Sequence, residues 1–306
     1  MINFVVTMNV LFSRMMACAD PSQVAGLARF FKTGPGQYGE GDKFLGIKVP
    51  VTREVVRDCW AATSWADLEE CVRSEYHEVR LAALLTLVEI FKQAGKKAAG
   101  NYFSEGFPKN HFPAAGSERL PSERSSCHSE QPSCHSERSE ESLRAQCINF
   151  YLSHTQFINN WDLVDLSCYP LLGEWLLNAP DRSLLYDLAR NGRTIWEQRI
   201  GIVSTMTFVR HGQLADTFAI ADILLHHPHD LIQKAVGWLL REAGKRDKPA
   251  LEAYLQGPEP SVCHSEHLSC HSERSEESPR YSVMPRTMLR YAIEKFPEAE
   301  RQSWLK

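Results

Sequence analysis

Apolar residues recur at helical spacing along most of this chain, and no stretch alternates apolar and polar side chains as a half-buried strand must. Residues 78–93 place Val79, Ala82, Ala83, Leu87 and Ile90 on one stripe. Residues 195–209 do the same with Ile195, Ile202, Val203 and Met206. Residues 231–244 repeat the pattern behind Pro228 and Asp230, the latter suited to an N-cap. Short turns join these stretches, as at Asp20-Pro21 and Pro180-Asp181. Helix pairs recurring at a loose period of about forty residues predict an all-α fold, a HEAT-like helical-repeat superhelix or α-solenoid. It is read as one domain over residues 1–306.

Two segments, 104–144 and 261–280, interrupt the pattern with nearly the same text. Cys134-His135-Ser136-Glu137-Arg138-Ser139-Glu140-Glu141-Ser142 returns as Cys270-His271-Ser272-Glu273-Arg274-Ser275-Glu276-Glu277-Ser278. Such Ser/Glu-rich composition buries too little apolar surface to offset the entropy of ordering, so both are expected to be disordered, low-complexity insertions. The duplication reads as a repetitive DNA element translated twice. Each segment carries a Cys-His-x5-Cys-His pattern, but zinc modules space their ligands differently, and the reading is repetitive sequence with no metal site.

The net charge of −4 carries no basic signature, and outside the two segments 27 acidic residues balance 27 basic ones. A polyanion-binding face must therefore come from local clustering. Five cysteines outside the segments lie mostly in apolar helical patterns, which implies reduced thiols and a cytoplasmic protein. Residues 1–19 are too interrupted to span a bilayer and read as an amphipathic first helix; no membrane partner is expected.

Several motifs invite a function. Gly34-Pro35-Gly36-Gln37-Tyr38-Gly39 matches a dinucleotide fingerprint in letters but follows an apparent helix, so 34–42 is a loop with positive-φ positions. His226, His227 and His229 surround Pro228, which breaks any helical ligand spacing; they read as a solvated turn. Trp161 and Asp165, four apart at a helix start, share a face: either a site for a sugar and a developing cation, or a capping carboxylate beside a core indole. Lys234, Trp238, Arg241 and Lys245 form one stripe of three cations around an indole, opposite Ile232, Val236, Leu239 and Leu240. That stripe suits a sugar–phosphate backbone, or a tryptophan covered by its neighbours' aliphatic stems. Arg199, in Trp196-Glu197-Gln198-Arg199, can also meet phosphate.

At these residues, and at Phe44-Leu45-Gly46-Ile47-Lys48-Val49-Pro50, the chain resembles the AlkD family of DNA alkylation-repair glycosylases over nearly everything outside the two segments. The resemblance implies HEAT-like repeats curved around double-stranded DNA containing alkylated purines. It implies a monomer that hydrolyses the N-glycosidic bond of N3- or N7-alkylated purines with no metal and no cofactor. Carried over by motif, Asp165 is the catalytic carboxylate, Trp161 and Trp238 cradle the sugar, and Arg199 contacts the backbone near the lesion; Lys234, Arg241 and Lys245 are expected to bind DNA. The loop 34–42 implies a branch of its own within the family. The rival readings are a catalytically silent scaffold of the same architecture and a gene product damaged by its insertions.

Overall fold

A computed structural model describes residues 9–102, 134–257 and 279–306 of the chain, and these are helical with no strand; an isolated bridge links Lys43 and Tyr76. The first helices are α1 (Val10–Ala17), α2 (Pro21–Phe30), α3 (Val49–Cys59) and α4 (Trp65–Val72). They start at polar caps where the sequence offers them: Asn9 caps α1, Asp20 caps α2, and Ser64 with Asp67 forms a capping box for α4. Next come α5 (His77–Tyr102) and α6 (Cys134–Ser153), packed on one another, then α7 (Trp161–Cys168), which runs through a π-helical turn, Tyr169–Gly173, into α8 (Glu174–Leu176). The rest comprises α9 (Ser183–Asn191), α10 (Ile195–Val203), α11 (Met206–Arg210), α12 (Ala215–Ile223), α13 (Asp230–Arg246), α14 (Lys248–Gln256), α15 (Arg280–Val283), α16 (Arg286–Ala292) and α17 (Glu298–Trp304).

The apolar stripes read from the sequence face a common core. Val79, Ala82, Ala83 and Leu87 of α5 are buried, as are Ile232, Val236, Leu239 and Leu240 of α13. Three local expectations change. Residues 195–209 form two helices, α10 and α11, divided at Ser204-Thr205. The cap of α13 is His229, whose ring accepts from the Leu231 N–H, and Asp230 is already helical. The segment 104–144 was expected to lack structure throughout, yet α6 begins at Cys134 within it, because glutamate, arginine and leucine there continue the helix that ends at Ser153. The remainder of that segment, and residues 261–278, lie outside the described residues, as do the side chains of the four Cys-His pairs. The five cysteines whose side chains are described form no disulfide, and among the described residues no helix is long and apolar enough to cross a membrane.

Two glycines fix close approaches. Gly46 has φ +85°, and a Cβ there would lie 1.9 Å from the Asp20 carbonyl oxygen. The buried Glu78 carboxylate accepts from the backbone N–H groups of Leu45, Gly46 and Ile47 at 2.9–3.1 Å, holding this turn against α5. At Gly237, a Cβ would lie 2.5 Å from both the Met288 carbonyl oxygen and the Tyr291 Cβ, so α13 and α16 touch backbone to backbone. Neither obstacle is a flexible side-chain end. Gly237→Ala is therefore expected to push α16 away and lower stability by about 1–3 kcal/mol, read as a fall in the urea midpoint. An unchanged midpoint would mean that the two helices separate freely.

Candidate active site

One cleft of about 680 Å³ brings together Trp161, Asp165, Arg199, Lys234, Trp238 and Arg241, residues drawn from α7, α10 and α13. Lys245 lies one turn further along α13, in an adjoining hollow that shares Trp238 with the cleft. Helical spacing explains the grouping. Asp165 stands one turn after Trp161, and Trp238 one turn after Lys234, so each helix offers one face to the same space.

Asp165 is the centre of this arrangement. Both its oxygens are held by Arg199, which donates from Nε to Oδ1 at 2.8 Å and from Nη2 to Oδ2 at 2.7 Å. The remaining guanidinium nitrogen donates to the Leu231 carbonyl at 2.5 Å, tying α10 to the start of α13. The Asp165 side chain is 14% exposed and that of Arg199 7%. Burial raises the Asp165 carboxyl above the ordinary aspartate range, against the pull of Arg199 beside it. A carboxylate fixed in orientation, little hydrated and open to a cleft can stabilise a cation or position a water molecule.

Trp161 has its own support. Its ring stacks on Phe31 at 5.5 Å and meets the edge of Phe30, itself 61% exposed, at 5.7 Å. Tyr38, at the centre of the 34–42 loop, lines the cleft beside Trp161. Gly36 and Gly41 take the positive φ angles expected of that loop. Asp42 anchors its end, accepting from Arg80 Nη2 at 2.7 Å and from Asn159 Nδ2 at 3.0 Å. His77 lies between two carboxylates, 2.8 Å from Asp162 and 3.3 Å from Asp42, and its pKa is pushed up to about 9: burial alone would lower it, and the two carboxylates outweigh burial. A buried charge network thus binds the loop to α7 directly beneath Trp161.

The cations of the α13 stripe all have carboxylate partners. Lys234 pairs with Asp230 at 2.6 Å, Arg241 with Glu242 and Glu294, and Lys245 with Glu242 at 2.7 Å. Of the Trp196–Arg199 motif, Trp196 and Glu197 are buried and structural. Glu197 accepts from Thr155 Oγ1 at 2.8 Å and from the Arg193 N–H at 2.7 Å. His227 and His229 are part-buried, His227 bonding Gln198 at 2.9 Å, so the turn they form packs against α10. Among the described residues no group of three or more His, Cys, Asp or Glu is placed to hold a metal.

Sequence reasoning missed Phe30, Lys32, Tyr38 and Tyr291, which also line the cleft. Phe30 and Tyr38 carried a signal, as aromatics flanking a glycine-rich turn. The His77–Asp42–Asp162 network carried none, since its members are far apart in sequence.

A family model described as DNA alkylation repair enzyme matches residues 12–105 and 133–296. A solved structure from Enterococcus faecalis, described as a predicted DNA alkylation repair enzyme, superposes with a TM-score of 0.53 at 12% identity, covering 92% of this chain and 97% of that one. At that identity the likeness concerns the fold. No curated protein matches the chain.

Proposed function

Since the chain belongs to the DNA alkylation repair enzyme family, we propose that it is a DNA glycosylase hydrolysing the N-glycosidic bond of N3- or N7-alkylated purines in duplex DNA. The observation that carries this reading is the Asp165 carboxylate, locked by Arg199 at the wall of a cleft flanked by two indoles.

The chemistry follows from the substrate. An alkylated purine of this kind carries a positive charge and departs with the electron pair of the glycosidic bond, becoming neutral with little help from an acid. The deoxyribose left behind becomes oxocarbenium-like. Asp165 stabilises that charge and orients the water that adds to C1′, whose proton passes to the carboxylate or to solvent. Trp161 and Trp238 offer π faces to the same cationic sugar. Arg199 holds Asp165 in place and stands at the backbone near the lesion. The α13 cations exchange their carboxylate partners for phosphates when DNA binds.

Release of N7-methylguanine from methylated duplex DNA by the purified protein tests the reading. No release from a folded protein would favour the second reading, a catalytically silent scaffold binding DNA or protein. One observation supports that alternative: the Asp165–Arg199 pair bridges α7 and α10 as a purely structural ion pair would. Lys234→Ala should weaken duplex binding equally for damaged and undamaged sequences, and lower the salt slope by at most about one, because Asp230 already neutralises part of its charge. A slope change confined to damaged DNA would contradict this.

A further inference from the structure

A second hollow among the described residues, about 810 Å³, is larger than the cleft. It lies between α3, α5, α6 and the turn after α7, and six cations converge on it: Arg53, Arg57, Lys92, Lys96, Arg144 and Arg210. Among the described residues, Glu89 and Glu174 are the carboxylates that line it with them. Glu89 is engaged by the side chain of Gln93. Arg144 lies over the Phe91 ring at 4.2 Å and Arg210 over Tyr169 at 4.6 Å. Among the described residues, Arg53, Arg57, Lys92 and Lys96 have no carboxylate within ion-pair distance, and all four are exposed.

The contrast with α13 matters. The stripe that the sequence marks for DNA has its charge neutralised within the chain, whereas Arg53, Arg57, Lys92 and Lys96 at this hollow have no carboxylate partner among the described residues. The four free cations come in pairs one helical turn apart, Arg53 with Arg57 and Lys92 with Lys96, each pair spaced about 5–6 Å at its Cβ atoms. That makes two rows of paired cations on separate helices, suited to consecutive backbone phosphates rather than to a single anion. The hollow also meets two recesses that border the cleft. Leu166 lines both it and the apolar recess beneath Trp161 and Asp165, and Arg210 lines both it and the hollow holding Trp238 and Lys245.

We propose that this hollow is a second, lesion-independent anion site that grips consecutive phosphates of the duplex arm beside the damaged nucleotide, and that it supplies more of the electrostatic affinity than the α13 stripe. The inference rests on the duplex-DNA reading above. Neutralising Arg53 and Arg57 removes two phosphate contacts, and so does neutralising Lys92 and Lys96.

The test is the salt dependence of binding to a fluorescein-labelled undamaged duplex, followed by anisotropy. Arg53→Gln with Arg57→Gln, and Lys92→Gln with Lys96→Gln, are each expected to lower the slope of log K against log salt by about two. Lys234→Gln with Lys245→Gln is expected to lower it by less. All six side chains lie at the surface or partly so, and an unchanged melting temperature checks each variant's fold. Wild-type slopes in both hollow variants would overturn the proposal and leave the glycosylase reading standing. A larger slope change in the α13 variant would also overturn it. Failure of the wild type to bind duplex would overturn both readings.

Discussion

Asp165→Asn is expected to abolish release of N7-methylguanine while duplex affinity stays within about threefold of wild type. Removing one preorganised electrostatic group from a reacting centre typically costs about 10²–10³ in rate. Here the loss should reach the upper end, because the full negative charge that meets the oxocarbenium-like sugar disappears. The structure adds a cost to the protein itself. Asparagine keeps the outline of the side chain, and its oxygen can still accept from Arg199 Nε. Its amide group, however, faces the Nη2 donor, where a carboxylate oxygen stood at 2.7 Å. Arg199, 5% exposed, then retains only part of its compensation. Breaking a buried pair outright costs about 3–5 kcal/mol, so Asp165→Asn should fall below that range and Asp165→Ala near it. Melting curves and single-turnover excision therefore separate the two roles. Full excision by Asp165→Asn would remove Asp165 from the chemistry and leave the pair with Arg199 as architecture.

Much of the cleft was legible because helices turn spacing into direction. Trp161 and Asp165, and Lys234 and Trp238, could be placed on shared faces from their numbers alone, and the cleft contains all four. Pairing was not legible. Nothing local in the sequence says that Arg199 closes on Asp165, or that Arg241 reaches Glu294 across 53 residues. The same limit hid the basic hollow: Arg53 and Lys92 sit on different helices, and an overall charge of −4 conceals where they meet. Composition also misjudged residues 134–144, because a helix extended from a well-packed neighbour needs no apolar surface of its own at every turn. The 34–42 loop was recognised as a loop from its glycines, but its place over Trp161 depends on Asp42 finding His77, Arg80 and Asn159.

That network supports the second large expectation, a loss of stability at alkaline pH that His77→Gln removes. His77 is buried, with its pKa pushed up to about 9 from an ordinary value of 6.5, facing Asp162 and Asp42, with Arg80 opposing its charge. Because the folded value exceeds the unfolded one, the proton stabilises the folded state. The contribution is complete below pH 6.5 and disappears as pH rises through about 9, where the folded state releases its proton too. The shift corresponds to roughly 3 kcal/mol. Urea unfolding at pH 6 and at pH 9.5 should show that loss in the wild type beyond any shared with His77→Gln, which has no proton to lose there. Since Asp162 adjoins Trp161 and Asp42 ends the Tyr38 loop, the same rise in pH should loosen the cleft before the whole chain unfolds. Faster amide exchange at Trp161 and Tyr38 than in α13 would register it. Equal pH slopes in wild type and His77→Gln would mean that the two carboxylates do not hold a charged imidazole, and that the loop is fixed to α7 by Arg80 and Asn159 instead.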